Sequence, residues 1–181
     1  MFHTGYSRGI PAVKAAVALK NLGVAGIVID DQNPLKRKAE VDPGKEVIKS
    51  SSMENMIKAI RSATGKDFII IGRTAIEQQQ QALERAEMLK RAGSDLIIVE
   101  AFNDSASNLE FLANKKDYKL TTIQLDKGEA KPWTRSNHEQ MGIKIVLLAN
   151  ALRKRWEKRG EGMDSYATKL GLNLFGCRVG I

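Results

Sequence analysis

The stretch Gly23-Val24-Ala25-Gly26-Ile27-Val28-Ile29-Asp30-Asp31-Gln32 decides the fold. A glycine closes the helix before it, a β-rich apolar run of strand length follows, and the run stops on two carboxylates. Apolar residues at successive positions belong to a strand covered on both faces, which is the habit of parallel sheets. Such sheets gather their chemistry at the C-terminal ends of the strands, and Asp30 and Asp31 stand at that end.

Working outward, the same design recurs. Pro11 starts a helix running to about Leu22. Downstream, Met53, Met56, Ile57 and Ile60 fall at i, i+3, i+4, i+7 and predict a helix over about 52–63, entered through a capping box of Ser51 with Glu54. Phe68 to Thr74 is a second buried strand, ending on the cation Arg73, and a helix from Gln78 to Ala92 carries Ala82, Ala86, Leu89 and Gly93 on one stripe, with Glu87 set to pair Arg91. Asp95 to Glu100 is a third strand, ending on a carboxylate, followed by a short helix over 105–114. Leu120 to Leu125 and Ile143 to Asn150 are the fourth and fifth strands, separated by a short helix at about 134–141, and a basic helix covers about 151–158. Alternating strands and helices with short connections demand parallel strands and right-handed crossovers. Spacing alone allows both a (β/α) barrel and an open doubly wound sheet. Residues 31–50, polar and punctuated by Pro34, Pro43 and Gly44, form a connection of the length that is usually functional or disordered.

Composition narrows the class. With 181 residues, 43% of them hydrophobic, the chain can bury one core of ordinary size. It has no apolar run near the roughly 20 residues of a spanning helix, so a soluble cytoplasmic protein is expected, although the acid-free start up to Asp30 also matches a transit peptide. The single Cys177 excludes a disulfide framework and a multi-thiolate metal site, and the isolated His3 and His138 do not suggest zinc. A net charge of +8 suits an anionic partner or a solvated surface. Basic residues bunch at 35–38 and 153–159 without an aromatic stacking platform, which makes a nucleic-acid role the weaker reading.

Asp30, Asp31, Arg73, Glu100 and Gln124 all lie at C-terminal strand ends and therefore converge on one face of a parallel sheet. Carboxylates there suit Mg²⁺, a hard cation that takes oxygen ligands and keeps several waters. An arginine opposite them holds a carboxylate or phosphate bidentately. The competing description is a buried ion network that merely closes the end of the sheet.

In order along the chain, Thr4-Gly5-Tyr6, the run ending at Gln32, Gly44-Lys45-Glu46, Gly72-Arg73-Thr74, Ala82-Leu83-Glu84-Arg85-Ala86, Ala92-Gly93-Ser94-Asp95, Glu100 and Met141 to Val146 together resemble the isocitrate lyase/phosphoenolpyruvate mutase superfamily of Mg²⁺-dependent (β/α)₈ enzymes. The resemblance implies an incomplete TIM-type (β/α) barrel of five parallel strands over residues 1–158, with a glycine-rich tail over 159–181. The family's first three strands have no counterpart, so an N-terminally truncated relative is expected, set against about 250 residues for a full barrel. It implies Asp30 and Asp31 as metal residues, Thr4, Gly5, Tyr6, Arg73 and Gln124 as substrate-binding residues, and Lys36 and Glu100 as catalytic ones. The implied activity is that of a lyase or mutase breaking or forming C–C or P–C bonds of small 2-oxo acids. The implied partners are a small carboxylate or phosphonate substrate and further copies of the chain. Departures accompany the match. Met1 and His3 occupy the family's Asp-x-Asp positions, and Lys36-Arg37-Lys38-Ala39-Glu40 stands in place of a loop with a catalytic cysteine. A non-catalytic relative that binds an anion or a protein is therefore the alternative expectation.

Overall fold

A computed structural model describes residues 9–36, 44–102, 112, 114, 118–125 and 134–149. The chain divides into two compact units, Met1–Thr121 and Thr122–Ile181. Expectations for Thr4 to Tyr6, most of the 105–114 helix, the basic helix at 151–158, Cys177 and the 159–181 tail fall outside the described residues.

In the first unit, α1 (Ile10–Asn21) precedes β1 (Gly26–Asp30), α2 (Ser50–Thr64) precedes β2 (Ile69–Thr74), and α3 (Gln79–Ala92) precedes β3 (Leu96–Val99). The strands pair in the order β1-β2-β3, all parallel, with Asp30 opposite Arg73 and Thr74 opposite Val99. A further parallel bridge sets Leu120 beside Ile97. The continuous apolar runs are explained by burial on both faces. Ile27, Val28, Ile29, Ile70, Ile71, Ile97 and Ile98 are all buried, each worth about 1.5–3 kcal/mol of transfer free energy. Helix α1 packs on α2, α2 on α3, and α3 on β2 and β3.

The heptad-like spacing of α2 is confirmed, since Met53, Met56, Ile57 and Ile60 are buried. The capping box is not. The helix begins at Ser50 with Lys49 as its N-cap and no side-chain cap bond, so Ser51 already lies inside the first turn. Glu54 instead pairs along the helix with Lys58 at 2.7 Å. In α3, Ala82, Ala86 and Leu89 form the buried stripe, and Gly93 takes the left-handed C-cap conformation at φ 106°. Glu87 accepts a hydrogen bond from the Tyr118 hydroxyl at 2.6 Å.

Close approach explains two other glycines. A Cβ on Gly26 would lie 2.4 Å from the Ile69 carbonyl oxygen, and one on Gly72 would lie 2.5 Å from Ser94 Oγ.

The second unit contains all but the first residue of β4 (Thr121–Leu125), then α4 (Arg135–Gln140) and β5 (Ile145–Ala149), with β4 and β5 paired. Thr134 and Asn137 form a reciprocal capping box at the start of α4. Among the described residues, no helix is long and apolar enough to cross a membrane.

Candidate functional site

The parallel register carries the polar ends of β1, β2 and β3 to one edge of the first unit, as the strand-end argument requires. Arg73, next to last in β2, is 1% exposed. Its Nε donates to Glu100 Oε1 at 2.6 Å, and a terminal nitrogen makes an ion pair with the same oxygen. Glu100 opens the 3₁₀ turn Glu100–Phe102 that follows β3. Its second oxygen, Oε2, is paired with Lys45 Nζ. The Lys45 side chain is only 4% exposed and that of Glu100 only 14%. One carboxylate thus holds two nearly buried cations, the arrangement that a low-dielectric site requires of any charge it keeps.

The two aspartates of the organising stretch part company. Successive residues of an extended chain point to opposite sides. Asp30 is fully buried at the end of β1, beside Arg73 in the register, and its Oδ1 accepts from the Gln32 amide at 3.3 Å. Asp31 turns to the ends of β2 and α3: Thr74 Oγ1 donates to its Oδ2 at 2.8 Å, the Ala75 amide to its Oδ1 at 2.9 Å, and Arg85 Nε lies 3.7 Å from Oδ2. Burial pushes its carboxyl up to about 6, against the lowering by the Ala75 amide, the Thr74 hydroxyl and Arg85, with Asp30 adding to the rise.

The long connection after β1 is an ordered strap over its described parts. Gln32 and Val47 form an antiparallel bridge, the Asn33 amide donates to the Glu46 carbonyl at 2.7 Å, and the Ile48 amide donates to the Asp31 carbonyl at 2.8 Å. Arg85 donates to the Ile48 carbonyl at 3.1 Å, and the Gly44 amide donates to Glu77 Oε1 at 2.7 Å. These bonds bring Lys45 back to the strand ends.

Of the residues expected to form a site, Asp30, Arg73 and Glu100 gather at this edge, and Asp31 is adjacent with both oxygens engaged. Lys36 sits elsewhere. It ends a 3₁₀ turn, its side chain is 64% exposed, and it pairs with Glu46 at 2.8 Å. Gln124 lies on β4, in the second unit. Thr4, Gly5 and Tyr6 are outside the described residues. Sequence reasoning assigned no role to Lys45, although Gly44-Lys45-Glu46 was among the matched pieces. It also missed Arg85, whose signal was a cation placed on the apolar stripe between Ala82 and Ala86.

Among the described residues there is no group of three His, Cys, Asp or Glu side chains that could hold a metal ion. Both oxygens of Asp31 are engaged, by Thr74 at the end of β2 and by Ala75 just after it, and those of Glu100 are divided between two cations. The described residues alone do not complete a magnesium centre.

The chain is also similar to known proteins. The family model described as phosphoenolpyruvate phosphomutase matches residues 2–159. The 2-methylisocitrate lyase of Aeropyrum pernix is 31% identical over 150 residues, which is 80% of this chain and 47% of that protein. The chain spans about half the length, or less, of the curated relatives it matches. Among solved structures, phosphoenolpyruvate phosphomutase from Streptomyces platensis subsp. rosaceus aligns with a TM-score of 0.75 at 22% identity, covering 94% of this chain and 61% of that one. Phosphonopyruvate hydrolase in complex with oxalate and Mg²⁺ aligns with a TM-score of 0.66 at 15% identity, covering 93% and 66%. At these identities the structural likeness is one of fold, a TIM-barrel-type α/β architecture. The family model, extending over most of the chain, carries the assignment further: the chain belongs to the isocitrate lyase/phosphoenolpyruvate mutase superfamily.

Proposed function

We propose that the C-terminal edge of β1–β3 binds a small 2-oxo carboxylate or phosphonate, with Arg73 taking its anionic group, in a Mg²⁺-dependent lyase or mutase reaction at a C–C or P–C bond. The observation that carries this reading is the buried guanidinium of Arg73 at a strand end, held by Glu100 and set beside Asp30. A guanidinium fork matches a carboxylate or phosphonate in geometry. In a site screened from water it also stabilises the negative charge that develops on an enolate-like fragment as the bond breaks. The names of the relatives point the same way, since a 2-methylisocitrate lyase cleaves a small carboxylate and the phosphonopyruvate hydrolase structure holds oxalate and Mg²⁺.

In this reading Asp30 is the carboxylate directed to the metal, and Asp31 ties β1 to β2 and α3. Thr4, Gly5, Tyr6 and Gln124 remain substrate-binding candidates from the resemblance, and Lys36, on its exposed turn, remains a catalytic one. Association with further copies belongs to the same reading, because β1 has a strand neighbour on one side only among the described residues.

Calorimetric titration of oxalate, a mimic of the pyruvate enolate, with and without Mg²⁺ tests the proposal. Binding that requires Mg²⁺ and is lost in Asp30→Ala and Arg73→Ala is the expected result. Absence of binding in a folded sample overturns it. Oxalate binding that ignores Mg²⁺ yet is lost in Arg73→Ala supports the second reading, a non-catalytic anion-binding relative, for which Met1 and His3 at the family's Asp-x-Asp positions speak.

A further inference from the structure

Arg85 is the least expected residue of α3. It stands on the apolar stripe between Ala82 and Ala86 and is only 9% exposed, where an aliphatic side chain would pack without the cost of burying a charge. Its charge faces Asp31, but Nε stops 3.7 Å from Oδ2, beyond hydrogen-bond reach, and that oxygen accepts from Thr74 at 2.8 Å. The directional bond of the guanidinium goes elsewhere: a terminal nitrogen donates to the Ile48 carbonyl at 3.1 Å. Ile48 belongs to the strap. Its side chain is buried, and its amide donates to the Asp31 carbonyl at 2.8 Å. Both backbone polar groups of one strap residue are thus fastened, one to the end of β1 and the other to α3. A cation serving only as counter-ion to Asp31 would direct its hydrogen bonds to the carboxylate, where they are strongest.

What the strap carries gives this latch its consequence. Shortly before Ile48 in the chain, Lys45 pairs with Oε2 of Glu100, whose Oε1 accepts from Nε of Arg73. Contacts therefore run without a break from Arg85, through the strap, to the guanidinium at the end of β2.

We propose that Arg85 is a positioning residue of the anion site: it latches the strap to the end of β1 and thereby fixes where Lys45, Glu100 and Arg73 stand when a carboxylate or phosphonate arrives. This rests on the anion-binding reading given above and adds how that site is held ready. Arg85 itself does not touch the ligand. With the latch in place, binding does not have to order the strap. Without it, only the fraction of molecules whose strap is seated binds the anion.

The test uses Arg85→Lys on the full chain. An ammonium there still faces Asp31 as a counter-ion, but it sits where the guanidinium carbon was, one bond short of the strap carbonyl, and lacks the rigid fork. Oxalate affinity, measured by calorimetry under the metal condition that supports binding, is expected to fall roughly tenfold, as for a strap seated about a tenth of the time. The Ile48 amide is expected to lose protection from hydrogen exchange while the amides of β2 and β3 keep theirs. A folded Arg85→Lys protein that binds oxalate as the wild type does overturns the inference and leaves the anion site standing. Weaker binding with Ile48 as protected as before also overturns it, because the effect then does not run through the strap. Protection lost in strands and strap alike marks a merely structural arginine and overturns it as well. A wild type that binds no oxalate sinks the site itself, and this inference with it.

Should Arg85→Lys not fold, the exposed Glu77 decides. Glu77→Ala releases the Gly44 amide, at the other end of the strap, without touching Arg85, Lys45 or Arg73. Lower oxalate affinity supports the strap's hold on the site, and unchanged affinity overturns it.

Discussion

The two ends of the β1–β3 sheet both place an arginine against a carboxylate, and they differ in what else each arginine touches. At the N-terminal end of the strands, Arg61 of α2 donates to the Gly93 carbonyl through Nε and Nη2 at 3.1 and 3.0 Å. Through Nη1 it donates to the Gly65 and Phe68 carbonyls at 2.6 and 2.8 Å. It also pairs with Asp95, whose side chain is 41% exposed and accepts from the Ile70 amide at 2.8 Å. Most of its partners are neutral backbone oxygens at the ends of α2 and α3, groups that a helix leaves unsatisfied.

At the C-terminal end, Arg73, Lys45, Glu100, Asp30, Asp31 and Arg85 crowd together with little solvent. Buried charges of that density cost solvation that their mutual attraction only partly offsets. The first end stitches helices to strands. The second concentrates buried ions whose solvation cost the fold must offset, the pattern expected where local consistency is given up for function.

The largest expected effect lies at the stitched end. Arg61→Met removes the donor shared by three carbonyls and should cost about 2–4 kcal/mol in urea unfolding, because lost bonds and newly unsatisfied acceptors add. Oxalate affinity should not change, since the proposed site lies at the other end of the strands. A loss below about 1 kcal/mol would mean that water replaces the guanidinium at no cost, and the contrast between the two ends would lose its structural half.

Asp31 offers the next largest effect and ties the site end to pH. Its folded carboxyl keeps a proton up to about 6, whereas the free group releases it near 3.8. Between those values the folded state binds more protons than the unfolded state. The contribution is therefore fully present below about pH 4 and is lost as pH rises through about 6. Asp31→Asn, neutral throughout, lacks this slope. Relative to the wild type it should gain roughly 2–3 kcal/mol between pH 4 and 7. Parallel stability curves for the two proteins over that range would mean that Thr74, Ala75 and Arg85 already compensate the buried charge.

How much of this was legible in the sequence follows the same division. The strands were readable because continuous Ile and Val runs have one common explanation, burial on both faces. The helix stripes at Met53, Met56, Ile57 and Ile60, and at Ala82, Ala86 and Leu89, were readable because helical periodicity is local. Asp30, Arg73 and Glu100 converge because parallel register fixes which end of each strand faces which. Lys45 was not legible as a site residue. Its place depends on bonds from Asp31, Asn33, Glu77 and Arg85, partners up to 37 positions away, as in Arg85 with Ile48. The separation of Asp31 from Asp30 was hidden for the same reason, since only the fold shows that Thr74 and Ala75 reach the second aspartate. The unused capping box of α2 shows the converse: a correct local motif at Ser51 and Glu54 is bypassed when the helix starts earlier.

The smallest effect on stability is expected where the effect on binding is greatest. The combined change Arg73→Met, Glu100→Gln and Lys45→Met replaces the buried ions joined by Glu100 with groups of similar volume, so that no cation of the cluster is left without its carboxylate. Such replacements are often neutral or stabilising when the geometry survives, so the unfolding free energy should stay within about 1 kcal/mol of the wild type. Oxalate binding should disappear, because the guanidinium that takes the anion is gone. Together with Arg61→Met the combined change makes a reciprocal test: one arginine whose loss lowers stability and spares binding, the other whose loss, with its partners, spares stability and removes binding. If the combined variant instead unfolds as readily as Arg61→Met, the charges at the C-terminal edge are holding the strands together, and the description of that edge as a buried ion network gains over the binding site.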